Sequence, residues 1–330
     1  MSVPVAVLCA GLGTRLRPLT NRWPKPAVPL LGRPLLSYAL EQLKKSGVTR
    51  LGINTFHLPE LMEQTARSLW SGELVVSRES GEIQGTGGGM RGLRSLLEAD
   101  VSVVLNGDVL FELDLEAVLL AHRRSGAAAT MVLLPMPHGE KYNAVELDRS
   151  LRVRRIAGVG PGGVALSGWH FTGVHVLTRR VFEFMPGGPH DINRDVYPKM
   201  IEAGLEVFGH IVPPPKPYWS DLGTAERYLA THQDLLFGQA GALSALAVEG
   251  LSRGAGNFWA HASAQLSNAR VTGPAWFGAG AVLEAGVTIG SAVSVGPGAR
   301  VGAGASLNRV AVLDGAVVPA GARLEDQIVS

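Results

Sequence analysis

Apolar residues recur at every sixth position through the C-terminal part of the chain: Val271, Phe277, Leu283, Ile289, Val295, Val301, Leu307 and Leu313. Ala or Val stands two places before each, and small or Gly-rich residues follow two places after most. An α-helix repeats its faces every 3.6 residues and a flat strand every two, so neither makes this spacing. A triangular β-coil does, because each side takes six residues and sends one apolar side chain into a narrow interior. Eight residues in one register also argue against a disordered Gly/Ala-rich tail.

The preceding text is of another kind. Residues 3–9 form a continuous apolar run, as expected of a strand covered on both faces. Residues 34–46 carry apolar positions at helical spacing, with Pro34 suited to the first helical position and Gly47 to a stop. Strand patterns over 51–54 and 101–105 flank a helix pattern over 58–70, and such alternation implies βαβ units and a mainly parallel sheet. With 330 residues, 46% of them hydrophobic, the chain can bury a sizeable core in two domains. We expect an α/β domain over 1–237, a connecting helix and linker over 238–256, and the coil over 257–330.

A net charge of +2 creates no field calling for nucleic acid or an anionic membrane. The N-terminus has no basic region ahead of its short apolar run, unlike a signal peptide, and no apolar stretch is long enough to cross a bilayer. One cysteine, Cys9, precludes an intrachain disulfide and fits a reducing compartment. A cytoplasmic protein is the expectation.

Chemistry concentrates after the first strand, in Ala10-Gly11-Leu12-Gly13-Thr14-Arg15-Leu16-Arg17-Pro18-Leu19-Thr20. Glycines let a backbone turn tightly and aim its N–H groups inward as a cradle for phosphate oxygens. Ten residues past Arg15, Trp23-Pro24-Lys25-Pro26 holds one lysine between two prolines, which suits a positioned cation. No Gly-Lys-Ser/Thr follows, so this is not a Walker loop, and a third glycine is missing for a dinucleotide fingerprint. Asp108 ends the 101–105 strand, where ligand groups gather in open α/β sheets. Asp221, in Trp219-Ser220-Asp221-Leu222-Gly223-Thr224, stands just before another helix.

Gly11 to Thr20 with Pro24-Lys25-Pro26 closely resembles the signature of sugar-1-phosphate nucleotidylyltransferases, and nearly the whole chain follows that family. The resemblance implies a Rossmann-like nucleotidyltransferase domain, with Arg15 and Lys25 on the phosphates of a nucleoside triphosphate. It implies Mg²⁺ held by Asp108 and Asp221, and it makes Arg15, Lys25, Asp108 and Asp221 the catalytic set. Ala10, Gly11, Leu12, Gly13, Thr14, Asn54, Gly85, Thr86, Gly87, Asn106 and Gly107 would line the nucleotide. Asn143, Thr172 and Gly173 would line the sugar, with Thr172 facing it. The tail resembles the hexapeptide-repeat left-handed parallel β-helix, clearest at Ile289-Gly290, Val295-Gly296 and Val301-Gly302, and such coils offer a surface for homo-oligomers.

Two departures bear on the sugar. Many relatives carry Glu-Lys-Pro after a β-hairpin, the lysine gripping the sugar phosphate, whereas residues 154–161 contain none. Arg154 or Arg155 is the substitute on offer. Tyr142-Asn143-Ala144-Val145 also lacks the glycine usual after that tyrosine. The tail resembles that of mannose-1-phosphate guanylyltransferases, the leading expectation. The triple glycine at 87–89 and the missing lysine resemble N-acetylmuramate-1-phosphate uridylyltransferases. A catalytically inactive sugar-nucleotide sensor is a third reading, against which stand all four retained catalytic residues. A coil acyltransferase needs a histidine, and 271–330 contain none. His170 and His175 are expected to be packed or on the surface.

Overall fold

A computed structural model describes residues 3–137, 139, 142–161, 163, 166–254 and 257–330. The last two residues of the expected 238–256 linker lie outside that set. The chain forms two compact units, the first from residues 1–12, 23–26 and 39–219, the second from 13–22, 27–38 and 220–330.

The first unit is built on a mixed sheet. Strands β1 (Val5–Leu8), β2 (Arg50–Thr55), β3 (Glu73–Arg78) and β4 (Ser102–Asn106) run parallel in the order β4-β1-β2-β3. Beyond β4 come β5 (Ala129–Leu134), β6 (Val145–Leu147), β7 (Val153–Ile156), β8 (Ser167–Leu177) and β9 (Val207–Ile211). The long β8 lies antiparallel to β4, β5 and β6, and β9 extends β5 in parallel. Parallel strands are buried on both faces, which is why β1 reads as an unbroken apolar run and β4 carries Val103-Val104-Leu105 at its centre. Helix α1 (Leu35–Lys45) and helix α2 (Pro59–Leu69) follow the expected 3.6-residue pattern.

One local expectation is corrected. Pro34 does not open a helix. It pairs with Pro29 across a two-residue hairpin whose central residues, Leu31 and Gly32, have φ of 51° and 66°, the left-handed pair that a tight hairpin needs. The Gly-rich segment 85–89 forms the first part of helix α3 (Gly85–Gly92), with Gly87, Gly88 and Gly89 buried. Tertiary contact overrides the poor helix propensity of glycine here: a Cβ on Gly87 would stand 2.3 Å from the His190 ring, and one on Gly89 2.4 Å from the Asn54 amide nitrogen.

In the second unit, very short strands pair in parallel as three ladders. Phe277 pairs with Val295, and Val295 with Val312. Leu283 pairs with Val301, and Val301 with Val318. Ile289 pairs with Leu307, and Leu307 with Leu324. Phe277, Leu283, Ile289, Val295, Val301 and Leu307 share one buried cluster with the small residues two places before them. The period then slips. Val312, not the expected Leu313, takes the next place in that cluster, because the corner at Asn308-Arg309 uses one residue fewer, with Arg309 at φ 52°.

Candidate active site

The turn Asn106-Gly107-Asp108 leaves β4 and packs against the end of β1. Gly107 donates its N–H to Leu8 O at 2.9 Å, and a Cβ there would lie 2.7 Å from the same oxygen. Glycine is therefore required by close approach, and Asp108 is presented at the carboxyl end of the parallel strands. Gly173 has φ 88° where the β8 pairing shifts register, and a Cβ on it would stand 2.9 Å from the Asn106 amide nitrogen. Lys25 points its Nζ onto Asp108 Oδ2 at 2.7 Å. The lysine side chain is only 7% exposed and the aspartate 43%, so a desolvated cation meets an accessible carboxylate. Beside them Cys9 is fully buried, and burial, with the Asp108 charge second, pushes its thiol far up, leaving it inert.

Asn54, 2% exposed at the end of β2, is spent on the protein itself. Its Oδ1 accepts the Cys9 N–H at 2.7 Å and its Nδ2 donates to Glu79 Oε1 at 2.7 Å. Glu79 in turn accepts the Gln84 N–H at 2.8 Å. Asn54 therefore braces the chain after β1, and Glu79 is a participant the sequence did not signal. Thr86 is tied down as well, donating to Asp191 Oδ2 at 2.9 Å and accepting from Ile192 N at 3.0 Å.

The second unit carries the rest of the first loop. Gly13, at φ 60°, caps a short 3₁₀ turn, Thr14–Leu16, and its carbonyl accepts the Thr20 hydroxyl at 2.9 Å. Gly223 has Arg15 and Asp221 as its nearest neighbours: a Cβ there would stand 3.3 Å from an Arg15 nitrogen and 3.5 Å from Asp221 Oδ2. Asp221 Oδ1 is paired with Arg227, whose backbone N–H is held by the N-cap hydroxyl of Thr224. Arg15 and Asp221, 206 positions apart by their numbers, thus flank one glycine.

The sugar-side expectations divide. Asn143 lines a cavity of about 280 Å³ together with Tyr142, His170, Asp191, Asn193 and Arg194. Thr172 has its hydroxyl engaged within the sheet. It is 1% exposed, and its hydroxyl donates to Val132 O at 2.9 Å, because β8 turns that position into the sheet. Trp219 donates its indole N–H to Thr172 O at 2.9 Å and packs on the His170 ring, centroids 4.3 Å apart. His175 is buried against the Tyr197 hydroxyl at 2.7 Å, and burial pushes its pKa down to about 3. Arg154 and Arg155 are engaged on carboxylates, Asp148 at 3.8 Å and Glu146 at 3.6 Å.

Residues 5–237 match the family model described as Nucleotidyl transferase. The chain belongs to that family. It is 30% identical over 217 residues to the UTP–glucose-1-phosphate uridylyltransferase of Synechocystis, covering 61% of this chain and 56% of that one. It is also 30% identical over 239 residues to the mannose-1-phosphate guanylyltransferase of Mycobacterium tuberculosis, covering 72% and 65%. The aligned region thus spans less than two thirds of either relative. The crystal structure of HddC from Yersinia pseudotuberculosis complexed with GMP-PN superposes with a TM-score of 0.58 at 23% identity, over 69% of this chain and 97% of that one. That likeness is one of fold. The family match ends within one residue of helix Ala225–Leu236, so Asp108, Lys25, Arg15 and Asp221 all fall inside it.

Among the described residues no three His, Cys, Asp or Glu side chains gather as a metal-holding group. No described helix is long and apolar enough to cross a membrane.

Proposed function

We propose that the protein is a sugar-1-phosphate nucleotidylyltransferase, most like a mannose-1-phosphate guanylyltransferase. The observation that carries this reading is the buried Lys25 set 2.7 Å from the accessible carboxylate of Asp108, on the turn after the central parallel strand. Family membership over 5–237 and the names of the two relatives above support it. Those relatives differ in both base and sugar, so the reaction class rests on more than the choice of mannose does.

The reaction is an in-line displacement. An oxygen of the sugar phosphate attacks the α-phosphorus of a nucleoside triphosphate, the bond to the bridging oxygen breaks, and pyrophosphate leaves. The attacking oxygen is already anionic, so no general base is needed and the burial of His175 and His170 costs the chemistry nothing. Catalysis rests on positioning and charge. Arg15 and Lys25 hold the triphosphate and draw charge toward the leaving group. The backbone of residues 10–14, with Gly85, Gly87, Asn106 and Gly107, lines the nucleotide, while Asn54 and Thr86 hold that lining in place. Asn143 and Gly173 stand on the sugar side.

Asp108 and Asp221 would hold Mg²⁺. Each carboxylate meets a cationic side chain in the structure, Lys25 or Arg227, and two hard oxygen donors without His or Cys suit an ion that completes its shell with phosphate and water. When bound, the ion supplies positive charge at the reacting phosphates.

The boundaries 1–237, 238–256 and 257–330 complete the proposal, as does a cytoplasmic location. The three ladders are faces of a left-handed parallel β-helix, a surface suited to homo-oligomers. The test is pyrophosphate release with Mg²⁺, crossing the common nucleoside triphosphates with mannose-, glucose- and N-acetylmuramate-1-phosphate. Release that depends on GTP and mannose-1-phosphate supports the reading. Dependence on UTP and N-acetylmuramate-1-phosphate would reassign the substrates, and no release from any pair would turn the reading toward a sensor.

A further inference from the structure

Successive residues of a strand point to opposite faces, so each short strand of the tail sends one side chain inward and its neighbour outward. On two of the three ladders the outward positions meet solvent. Arg300 and Val317 are exposed on one, and Arg270, Ser306 and Arg323 on another. The third ladder differs. Its outward residues Trp276, Ser294 and Ala311 stand in register, yet they are only 5%, 4% and 0% exposed.

The cover comes from other parts of the same unit. The hairpin at Gly32 approaches so closely that a Cβ there would stand 2.3 Å from the Trp276 ring, and Trp276 donates its indole N–H to Ala247 O at 3.2 Å. Ser294 Oγ lies 2.8 Å from Nε2 of His232, a residue of helix α4 (Ala225–Leu236). One turn earlier on α4, Tyr228 donates its hydroxyl to Pro29 O in the hairpin. The neighbouring face of α4 grips the residues just before the helix. Arg227 pairs with Asp221, and Thr231 shares a hydroxyl hydrogen bond of 2.6 Å with Ser220. His232 is fully buried, so its bond to Ser294 fixes α4 at one place along the tail: a slip would strand two buried polar groups.

We infer that the tail takes part in setting the catalytic geometry: its covered face seats α4 through Ser294 and His232, and Thr231 passes that seating to the Ser220-Asp221 segment. Thr231, His232 and Ser294 are positioning residues, each too deeply buried to meet a substrate. The inference rests on the transferase reading for the role of Asp221. It goes beyond that reading by giving the tail a task in the reaction itself, apart from any surface for homo-oligomers.

Hydrogen exchange read by mass spectrometry over residues 218–228, beside steady-state kinetics, tests it. Thr231→Val should speed exchange there and raise the half-saturating Mg²⁺ concentration about 3- to 10-fold, the scale of one lost neutral hydrogen bond. The nucleotide KM should stay within about twofold of wild type, and Thr231→Ser should restore both readouts. Ser294→Val alters the tail alone and should shift the same two readouts in the same direction. Thr231→Val with Ser294→Val should do no more than Thr231→Val by itself, because the tail acts through that contact. Val301→Ala, inside a ladder whose outward face is exposed, should lower Tm and leave both readouts at wild type. Wild-type exchange and Mg²⁺ dependence in Ser294→Val overturn the inference, as do multiplied effects in the double variant. An equal shift in Val301→Ala also overturns it, since stability alone would then explain the effect. Faster exchange in Thr231→Val and Ser294→Val, in a protein that releases no pyrophosphate with any substrate pair, would defeat the transferase reading and leave the seating of this segment by the tail standing.

Discussion

Replacing Gly87 by alanine sets two opposed effects against each other inside helix α3. Helix propensity favours alanine over glycine by about 1 kcal/mol. Packing opposes it, since the new Cβ would stand 2.3 Å from His190 Cδ2 and 2.6 Å from Nε2, against an ordinary carbon contact of about 3.5–4.0 Å. The ring has little room to retreat. His190 is 6% exposed, its Nδ1 sits 2.9 Å from Gly188 O, and its backbone donates to Gln84 and accepts from Gly87. Overpacking of this kind costs about 1–3 kcal/mol, so the net expectation is a loss of about 1 kcal/mol. Urea unfolding followed by far-UV circular dichroism would measure it. In a His190→Ala background the same substitution should become neutral or gain up to about 1 kcal/mol, because only the propensity term survives. A Gly87→Ala protein as stable as wild type would refute the packing argument.

Other expectations follow from the same contacts. Lys25→Met and Asp108→Asn should each lower kcat on the order of a hundredfold or more in steady-state pyrophosphate release, as loss of one preorganised charge contact does. Phe277→Ala empties a fully buried position in the tail and should cost about 3–5 kcal/mol, read from the melting of the variant and its susceptibility to proteolysis. Acid should destabilise the fold through His175 and His232, both pushed by burial from the ordinary 6.5 down to about 3. Both stay neutral when folded and take up protons when unfolded, so their stabilisation is intact above pH 6.5 and is lost as pH falls toward 3. His175→Gln should flatten that acid limb in a pH series of urea midpoints.

Where the residues of an element answer to local rules, its place was legible in the sequence. The apolar runs became β1 and β4, and the turn after β4 presents Asp108 at the carboxyl end of the sheet. Elements decided by distant contact were not legible. Nothing in the glycine repeat announces α3, where His190 and Asn54 approach too closely for a side chain at Gly87 and Gly89. Thr172 was expected to face a sugar from its place in a motif, but strand alternation and the Val132 carbonyl turn it inward. Leu313 follows the six-residue count, and a corner one residue shorter hands its place to Val312. Glu79 and Asp191 carried no motif at all. Their roles arise from partners far along the chain, such as Thr86 with Asp191, and no spacing announces such a pair.

The central claim is transfer of a nucleotidyl group to a sugar phosphate, and phosphorus NMR of the products tests it most directly. A reaction of the protein with Mg²⁺, GTP and mannose-1-phosphate should lose the sugar-1-phosphate signal and gain the paired signals of a diphosphate ester, with pyrophosphate in equal amount. Appearance of nucleoside monophosphate and pyrophosphate at a rate indifferent to every sugar phosphate tried would show hydrolysis instead, and would contradict the account.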